Sequence, residues 1–360
     1  MSLQEIGLLS LLGLPWTLKV LWAPLVDRFG ERRHWIAGAL AVMAVCMLVL
    51  PAEDPTHASF WLWALLLVFT TASATQDIAI DAYTIGLLEP GEEGVANGIR
   101  SAAYRVALIA GGGVLVALAG TLGWRAVFWT AAVLLAGLAL VALRAPPLAP
   151  AAAPRGESPV AGLAAWLGRR GAPFVLAFVL LYKLGDASMG PMVKPFWLDR
   201  GLSVEEIGFV STTLGVVASL AGALLGGYAT SRIGIFRAIW IFGVLQAVSN
   251  LGYAAVAEIG GGRSGIYAAS LVESFTGGLG TASFLAFLMH VCDKRFAATQ
   301  YALLSALFGL TRTLAGAASG WAATSLGYAA FFTFTFALSF LAFPLLPWVR
   351  SWIHDRPAPA

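Results

Sequence analysis

The amino-acid sequence predicts an all-α membrane protein built from two related helical bundles. Three observations lead to this prediction: an apolar composition, a series of long apolar stretches, and short motifs that recur in both halves of the chain. Hydrophobic residues make up 59% of the 360 residues and charged residues only 11%, whereas a soluble domain carries roughly 25% charged residues. This composition is typical of a protein that crosses the bilayer many times.

Eleven apolar stretches are long enough for membrane-spanning helices, because such a helix needs about 20 mostly apolar residues. They are expected near 5–25, 36–51, 59–83, 95–119, 124–143, 172–198, 205–229, 235–257, 265–291, 297–323 and 327–349. Between them, residues 144–171 are rich in proline and alanine and begin without an apolar period. We therefore expect an N-terminal bundle of five helices over 1–143, a cytoplasmic linker over 144–171 with a short surface helix near 160–167, and a six-helix bundle over 172–360.

The distribution of basic residues in the loops predicts the orientation in the membrane. One alternate set of loops holds fourteen lysine and arginine residues and the other set holds three. By the positive-inside rule the richer set, with the C-terminus, is cytoplasmic. A net charge of only +3 and the lack of a basic, aromatic-rich patch give no indication of nucleic-acid binding. The two cysteines, Cys46 and Cys292, lack metal-ligand spacing, so neither a metal site nor a cofactor is expected.

Short motifs repeat between the two halves. Residues 5–7 and 206–208 both read Glu-Ile-Gly at the start of a predicted span, and 122–124 matches 326–328 at a separation of 204. Parallel repeats of this kind are typical of transporters made of two halves. A complete span precedes 206–208, but only four residues precede 5–7. We therefore expect a twelfth span encoded upstream of Met1.

Two carboxylates stand out in the first half. Asp77 and Asp81 end the apolar stretch 59–83, one helical turn apart, and charged groups at such positions usually serve function. Arg105 lies on a polar stripe of the next predicted span. One hypothesis is that Asp77 or Asp81 binds a coupling proton and exchanges its partner Arg105 between inward-open and outward-open states. The alternative is a static ion pair that joins two helices.

A second polar group falls in the C-terminal half. Lys183 and Asp186 are three residues apart, so either they neutralise each other or Lys183 meets a substrate carboxylate that Asp186 orients. Glu273 binds substrate or proton, or else packs between helices. Gln246 and Asn250 share a face, as sugar-binding groups or as interhelical amides.

Further candidates lie toward the cytoplasm. Arg312 would attract an anionic ligand, and Gln76 beside the aspartate pair is another substrate candidate. His290 is expected to be a plain interfacial residue. The residues expected to hold a cytoplasmic gate, by capping and pairing at helix ends, are Lys19, Asp27, Arg28, Arg32, Arg33 and Arg232.

Several segments of the sequence resemble those of a known protein family. Residues 23–33 resemble the loop between helices two and three of the major facilitator superfamily, and 227–234 looks like its second copy, with Ser231 in place of the acid. Within that superfamily the chain is similar to the AmpG-type muropeptide permeases. The resemblance rests on residues 16–28, 76–83, 183–187, 236–253, 273–280 and 298–307.

The resemblance implies a major facilitator fold with eleven of twelve helices present in two pseudo-symmetric bundles. It also implies a monomer in the bacterial inner membrane that imports anhydro-muropeptides (GlcNAc-anhydroMurNAc peptides) with protons, for peptidoglycan recycling. Another solute such as acetyl-CoA, a sugar or a peptide is the alternative cargo. A membrane-embedded enzyme acting on lipid-linked sugars is a distant alternative, because no loop exceeds the linker in length. A scaffold or sensor is disfavoured by the paired intramembrane charges.

Overall fold

A computed structural model describes residues 12–53, 59–148 and 158–354 of the chain. Every regular element in these residues is helical. Three parts of the sequence predictions lie outside the described residues: the repeat motif at 5–7, the central linker residues 149–157, and the chain after residue 354.

The described residues form seventeen α-helices, joined by turns and by short 3-10 or π-helical segments. Their bounds are α1 Leu14–Leu18, α2 Ala23–Arg28, α3 Arg32–Val49, α4 Phe60–Leu87, α5 Glu93–Leu108, α6 Leu115–Leu122, α7 Trp124–Arg144, α8 Pro159–Leu167, α9 Ala172–Leu181, α10 Leu184–Asp199, α11 Val204–Gly208, α12 Gly215–Ile233, α13 Ile235–Ile259, α14 Gly262–His290, α15 Ala297–Leu326, α16 Tyr328–Ser339 and α17 Leu346–His354. Helix α8 lies where the sequence predicts a short helix in the linker.

Nine helical segments of the described residues are long and apolar enough to cross a membrane. They are Arg32–Ala52, Phe60–Leu87, Trp124–Arg144, Ala172–Asp199, Glu206–Ile233, Ile235–Ile259, Gly262–His290, Lys294–Leu326 and Tyr328–Ile353. Each coincides with one of the eleven predicted stretches. The other two stretches, 5–25 and 95–119, are not among these nine.

Local sequence explains why these two stretches are interrupted. In the described part of 5–25, a 3-10 turn at Lys19–Leu21 separates α1 from α2, and Pro24 lies in the first turn of α2, where its missing N–H is tolerated. In 95–119, helix α5 passes into a π-helical turn at Ile109–Val114, whose sequence contains three consecutive glycines. Glycine is a poor helix former, and wide π turns are usually short interruptions of this kind.

The chain forms two compact units. The first comprises Met1–Leu87, Val106–Trp166 and Cys292–Ala306. Within its described residues, α3 packs against both α4 and α7. The buried side of α3 includes Leu40, Met43 and Cys46, so the interior of this unit is mainly apolar.

The second unit comprises Leu88–Arg105, Leu167–Val291 and Leu307–Ala360. Here α14 packs closely on α12 and also contacts α13. A Cβ atom added at Gly222 or Gly278 would overlap backbone atoms of the facing helix. Small residues therefore allow α12 and α14 to approach closely, as at many helix contacts inside membranes.

Candidate functional site

The candidate site in the second unit is centred on Lys183. This residue lies between α9 and α10, where the helix is broken; its φ and ψ are −104° and 11°. The side chain is buried, and its Nζ lies 3.3 Å from Oδ2 of Asp186 and donates a hydrogen bond of 2.5 Å to Oε1 of Gln246. Lys183 and Asp186 are thus paired, and Gln246 of α13 is a second partner for the ammonium group.

Two glycines of α14 show how closely this group is packed. A Cβ atom at Gly280 would overlap Oε1 of Gln246 and lie 3.2 Å from Nζ of Lys183. A Cβ atom at Gly277 would lie 3.7 Å from Oε1 of Glu273 and 3.8 Å from Nε2 of Gln246, which is ordinary contact. A side chain at position 280 would therefore displace the Gln246 amide from its position beside Lys183.

The charges around Lys183 form one electrostatic group. Lys183 interacts with Asp186, Glu273 and Arg312, and Glu273 also interacts with Arg105. Lys183 is buried and Asp186 and Glu273 are partly buried, so their interactions are less screened by water and salt than those of Arg312, which is exposed. Within the second unit, Arg105 is thus in electrostatic range of Glu273, a relationship that the sequence did not reveal.

Asn250 lies one turn from Gln246 on α13 and is fully buried. Its Nδ2 atom is 3.4 Å from Oγ1 of Thr335 on α16, which supports the interhelical alternative for this amide. Its Oδ1 atom has no hydrogen-bond partner among the described residues. An unused buried acceptor is costly, and a hydroxyl or amide of a bound solute would satisfy it.

In the first unit, the predicted aspartate pair lies on α4. Oδ2 of Asp77 is 2.7 Å from Nζ of Lys19, whose side chain is only 5% exposed. Asp81, one turn further along α4, is buried, and Gln76 is partly buried. The sequence assigned Lys19 to a gate and did not indicate its pairing with Asp77.

The carboxylate of Asp27 caps the N-terminus of α15. Its carboxylate accepts hydrogen bonds from the backbone N–H groups of Ala298 and Thr299, at 3.0 and 2.8 Å, and from Oγ1 of Thr299 at 2.7 Å. Burial raises the pKa of Asp27, although these bonds and the guanidinium of Arg32, 3.5 Å away, oppose that shift. A carboxylate at this position caps the helix and interacts favourably with its dipole.

The predicted gate arginines contact other helix ends and aromatic rings. Arg32 donates to the carbonyl oxygens of Ala82 and Lys294, both at 2.9 Å, and Arg33 donates to the carbonyl oxygen of Ala145 after α7, at 3.1 Å. The other two guanidinium groups lie over rings: Arg28 over Phe29 at 5.5 Å and Arg232 over Tyr228 at 5.6 Å. Their contacts are structural, and a role in gating stays a prediction.

Sequence reasoning missed Glu93, which is buried at the start of α5. Its Oε1 lies 3.0 Å from Nδ1 of His290, and Nε2 of His290 lies 3.1 Å from the carbonyl oxygen of Ile353. Burial alone would raise the pKa of Glu93, but hydrogen bonds from His290 and from the backbone N–H of Gly91 help to lower it to about 2. His290 therefore joins three segments and is not a plain interfacial residue.

Long apolar helices that carry buried, paired charges are typical of a polytopic membrane protein that transports a polar solute. The chain belongs to the major facilitator superfamily, whose family model matches residues 1–185. It is 37% identical over 347 residues to the anhydromuropeptide permease of Escherichia coli K12, a match that covers 93% of this chain and 70% of that protein. The relatives are permeases, so the chain is a transporter of the AmpG type and not an enzyme.

Two further comparisons extend over nearly the whole chain. An uncharacterised protein of Haemophilus influenzae is 31% identical over 371 residues, covering 97% of this chain and 87% of that protein. The crystal structure of the E. coli fucose:proton symporter superposes with a TM-score of 0.76 at 12% identity, covering 97% of this chain and 92% of the symporter. At that identity, the likeness shows the fold alone.

Proposed function

We propose that this protein imports anhydro-muropeptides across the bacterial inner membrane by proton-coupled alternating access. The observation that carries the proposal is the 37% identity to the E. coli anhydromuropeptide permease over 93% of this chain. The buried group around Lys183 supports it, because muropeptides carry both carboxylates and sugar hydroxyls. Alternating access is the mode of transport expected of this fold.

The polar group of the second unit is suited to such a solute. Lys183 would meet a peptide carboxylate while Asp186, whose Oδ2 lies 3.3 Å from Nζ, orients the ammonium group. Gln246 and Asn250 would bind hydroxyl or amide groups, and the unused Oδ1 of Asn250 is one acceptor for them. The other substrate-binding candidates remain Glu273, Arg312 and Gln76.

Proton coupling is assigned to Asp77 and Asp81. Nζ of Lys19 lies 2.7 Å from the carboxylate of Asp77, so the two charges attract each other directly. Protonation of Asp77 would remove this attraction and free the lysine, which links proton binding to a change of partner. The exchange with Arg105 that the sequence predicts remains a hypothesis.

The finer points of topology are also proposals. We expect eleven spans in two pseudo-symmetric bundles, divided at the linker 144–171, with the C-terminus in the cytoplasm. The nine spans of the described residues and the excess of basic residues in alternate loops support this arrangement. We also expect a monomer, as is common for transporters built from two halves.

Uptake into vesicles tests the function directly. The full chain would be expressed in inverted and right-side-out membrane vesicles and supplied with radiolabelled GlcNAc-anhydroMurNAc-tripeptide, with and without a proton gradient. We expect accumulation that a protonophore abolishes. Unlabelled acetyl-CoA, a simple sugar or a free peptide should not compete. Uptake of one of these compounds in labelled form, with no uptake of the muropeptide, would identify that compound as the cargo instead.

Neutral variants test the coupling residues. In Asp77→Asn and Asp81→Asn, we expect proton-driven accumulation to fail while exchange of labelled for unlabelled cargo across the membrane persists. This separation arises because exchange needs the cargo site but no net proton movement. Full proton-driven uptake by both variants would reject the assignment.

A further inference from the structure

A groove in the second unit lies between the start of α13 and the segment in which the 3-10 turn Phe340–Leu345 passes into α17. It has a volume of about 870 Å³. Its lining residues are Phe236, Arg237, Trp240, Ile241, Phe343, Leu346, Pro347 and Arg350. None of these residues belongs to the groups proposed above for cargo or protons, so the groove has no role in the proposed transport cycle.

The lining residues recur at helical spacing. On α13, Arg237 and Ile241 are four residues apart, and on α17, Leu346 and Arg350 are also four apart. Side chains at this spacing share one face of a helix. Each helix therefore presents one guanidinium group and one aliphatic side chain to the same groove.

The two helices place these groups in two layers. Arg237 lies in the first turn of α13, near the start of the span Ile235–Ile259, and Arg350 lies in the middle of α17, near the end of the span Tyr328–Ile353. Trp240 and Phe343 lie further into their spans, with ring centroids 6.4 Å apart. On α13, Trp240 lies three residues beyond Arg237, about 4.5 Å along the axis at a rise of about 1.5 Å per residue. On the other side of the groove, Phe343 lies seven residues before Arg350, in the 3-10 segment that precedes α17.

The charged layer is accessible and held in place. Arg237 and Arg350 are both exposed, and the guanidinium carbon of Arg350 lies 5.7 Å from the ring centroid of Phe236. Stacking on an aromatic ring restricts the orientation of an arginine side chain, and a guanidinium group carries several N–H donors that match the geometry of a phosphate. Trp240 is 50% exposed and Ile241 is 41% exposed, so the deeper layer offers apolar surface to a hydrocarbon chain.

We propose that this groove binds one anionic phospholipid of the cytoplasmic leaflet. The phosphate would lie between Arg237 and Arg350, and an acyl chain would lie along Trp240, Ile241 and Phe343. Arginine pairs recognise phosphate through several N–H donors, and basic pockets between helices on the cytoplasmic side are a known type of site for acidic headgroups. A soluble anion would use only the charged layer, whereas a phospholipid uses both.

The test uses the purified full chain in detergent and native mass spectrometry. Phosphatidylglycerol and phosphatidylethanolamine with identical acyl chains are added in equal amounts, and bound lipid is counted. We expect the wild type to retain phosphatidylglycerol preferentially. Arg237→Gln and Arg350→Gln should each weaken this preference about fivefold, with a larger loss in the double variant.

Arg144→Gln is the matched control, because Arg144 is also exposed at a helix end on the predicted cytoplasmic side but lies outside the groove. Its lipid preference should equal that of the wild type. Trp240→Ala should reduce retention of both lipids and keep the preference. If the double variant is not monodisperse in detergent, the lipid preferences of the two single arginine variants are sufficient to test the proposal.

Three results would overturn the proposal. One is equal retention of the two lipids by the wild type, and another is an unchanged preference in both arginine variants. The third is displacement of the bound lipid by sn-glycerol 3-phosphate at equal concentration, which would mean that the groove takes a soluble anion. These lipid-binding measurements do not depend on transport, so a failure of muropeptide uptake would not affect them.

Discussion

Nζ of Lys19 lies 2.7 Å from Oδ2 of Asp77, and the two side chains are 5% and 36% exposed. The lysine comes from a short 3-10 turn and the aspartate from the long helix α4. A buried ammonium group is stable only with a partner, so the position of Asp77 also determines whether Lys19 is tolerated there. A change in the protonation of Asp77 would therefore alter the contact between α4 and the 3-10 turn that carries Lys19, as well as the carboxylate itself.

Replacement of Asp77 should destabilise the protein, and a second replacement should restore it. Asp77→Leu leaves the buried Lys19 ammonium without its carboxylate, and we expect a loss of about 1–3 kcal/mol. The double variant Lys19→Met/Asp77→Leu should recover most of this stability, because an apolar pair can replace an ion pair. Thermal unfolding in detergent measures the stability of the single and the double variant. A double variant no more stable than Asp77→Leu would contradict the proposed dependence.

Removal of the Lys183 charge should weaken cargo binding. In Lys183→Met the cargo loses a charge-assisted hydrogen bond, worth about 1.5–3 kcal/mol, so the apparent affinity in uptake should fall roughly tenfold to a hundredfold. Lys194→Met is the matched control, because this lysine lies on α10, the helix that begins directly after Lys183, and is exposed. Saturation curves of muropeptide uptake give the two affinities. Equal losses in the two variants would assign the effect to helix α10 as a whole.

Two neighbouring glycines of α14 should respond differently to alanine. Gly280→Ala places a methyl group against Gln246 and Lys183, and we expect a loss of about 1–3 kcal/mol of stability together with weaker uptake. Gly277→Ala meets its neighbours at 3.7 and 3.8 Å and should be tolerated. Thermal unfolding and uptake of the two variants check this difference. Similar behaviour of the two would mean that the lysine and glutamine adjust freely.

The Glu93 contact should make stability depend on pH. The pKa of Glu93 is lowered from its ordinary value of 4.5 to about 2. Its ionised form therefore stabilises the folded protein above pH 4.5, and this contribution is lost as the pH falls from 4.5 toward 2. The loss is at most about 3 kcal/mol. In Glu93→Gln the fall in unfolding temperature over this range should be shallower than in the wild type.

Glu92→Gln provides the control for this measurement. Glu92 is the preceding residue and is exposed, so its removal should leave the pH profile of unfolding unchanged. A Glu93→Gln profile that is parallel to the wild-type profile would show that the contact with His290 does not depend on ionisation of the glutamate.

Spacing within one helix made part of the site predictable. The apolar stretches indicate the nine spans of the described residues, and the three-residue spacing of Lys183 and Asp186 anticipates their contact. Asp27 follows an apolar stretch beside several arginines, which favours a role at a helix end, and it does cap α15. These features follow from residues that are near in sequence or from the general behaviour of helix ends.

Contacts between distant helices were not predictable. Lys19 and Asp77 are 58 residues apart, Lys183 and Gln246 are 63 apart, and the partner of Glu93 is 197 residues away. Periodicity shows which face of a helix is polar but not which other helix that face meets. For the same reason, Arg105 was assigned to the aspartates of the preceding span, and its proximity to Glu273 became visible only in the folded chain.

The two cysteines bear on how this transporter can be studied. The thiols of Cys46 and Cys292 are both buried, at 5% and 6% exposure. Burial also raises the pKa of the Cys292 thiol well above its ordinary value, and only the thiolate reacts readily with maleimides. The two native thiols should therefore react only slowly with maleimides and contribute little signal in thiol labelling. A single cysteine introduced along α10 or α4 would report its own access to water as the transporter changes state.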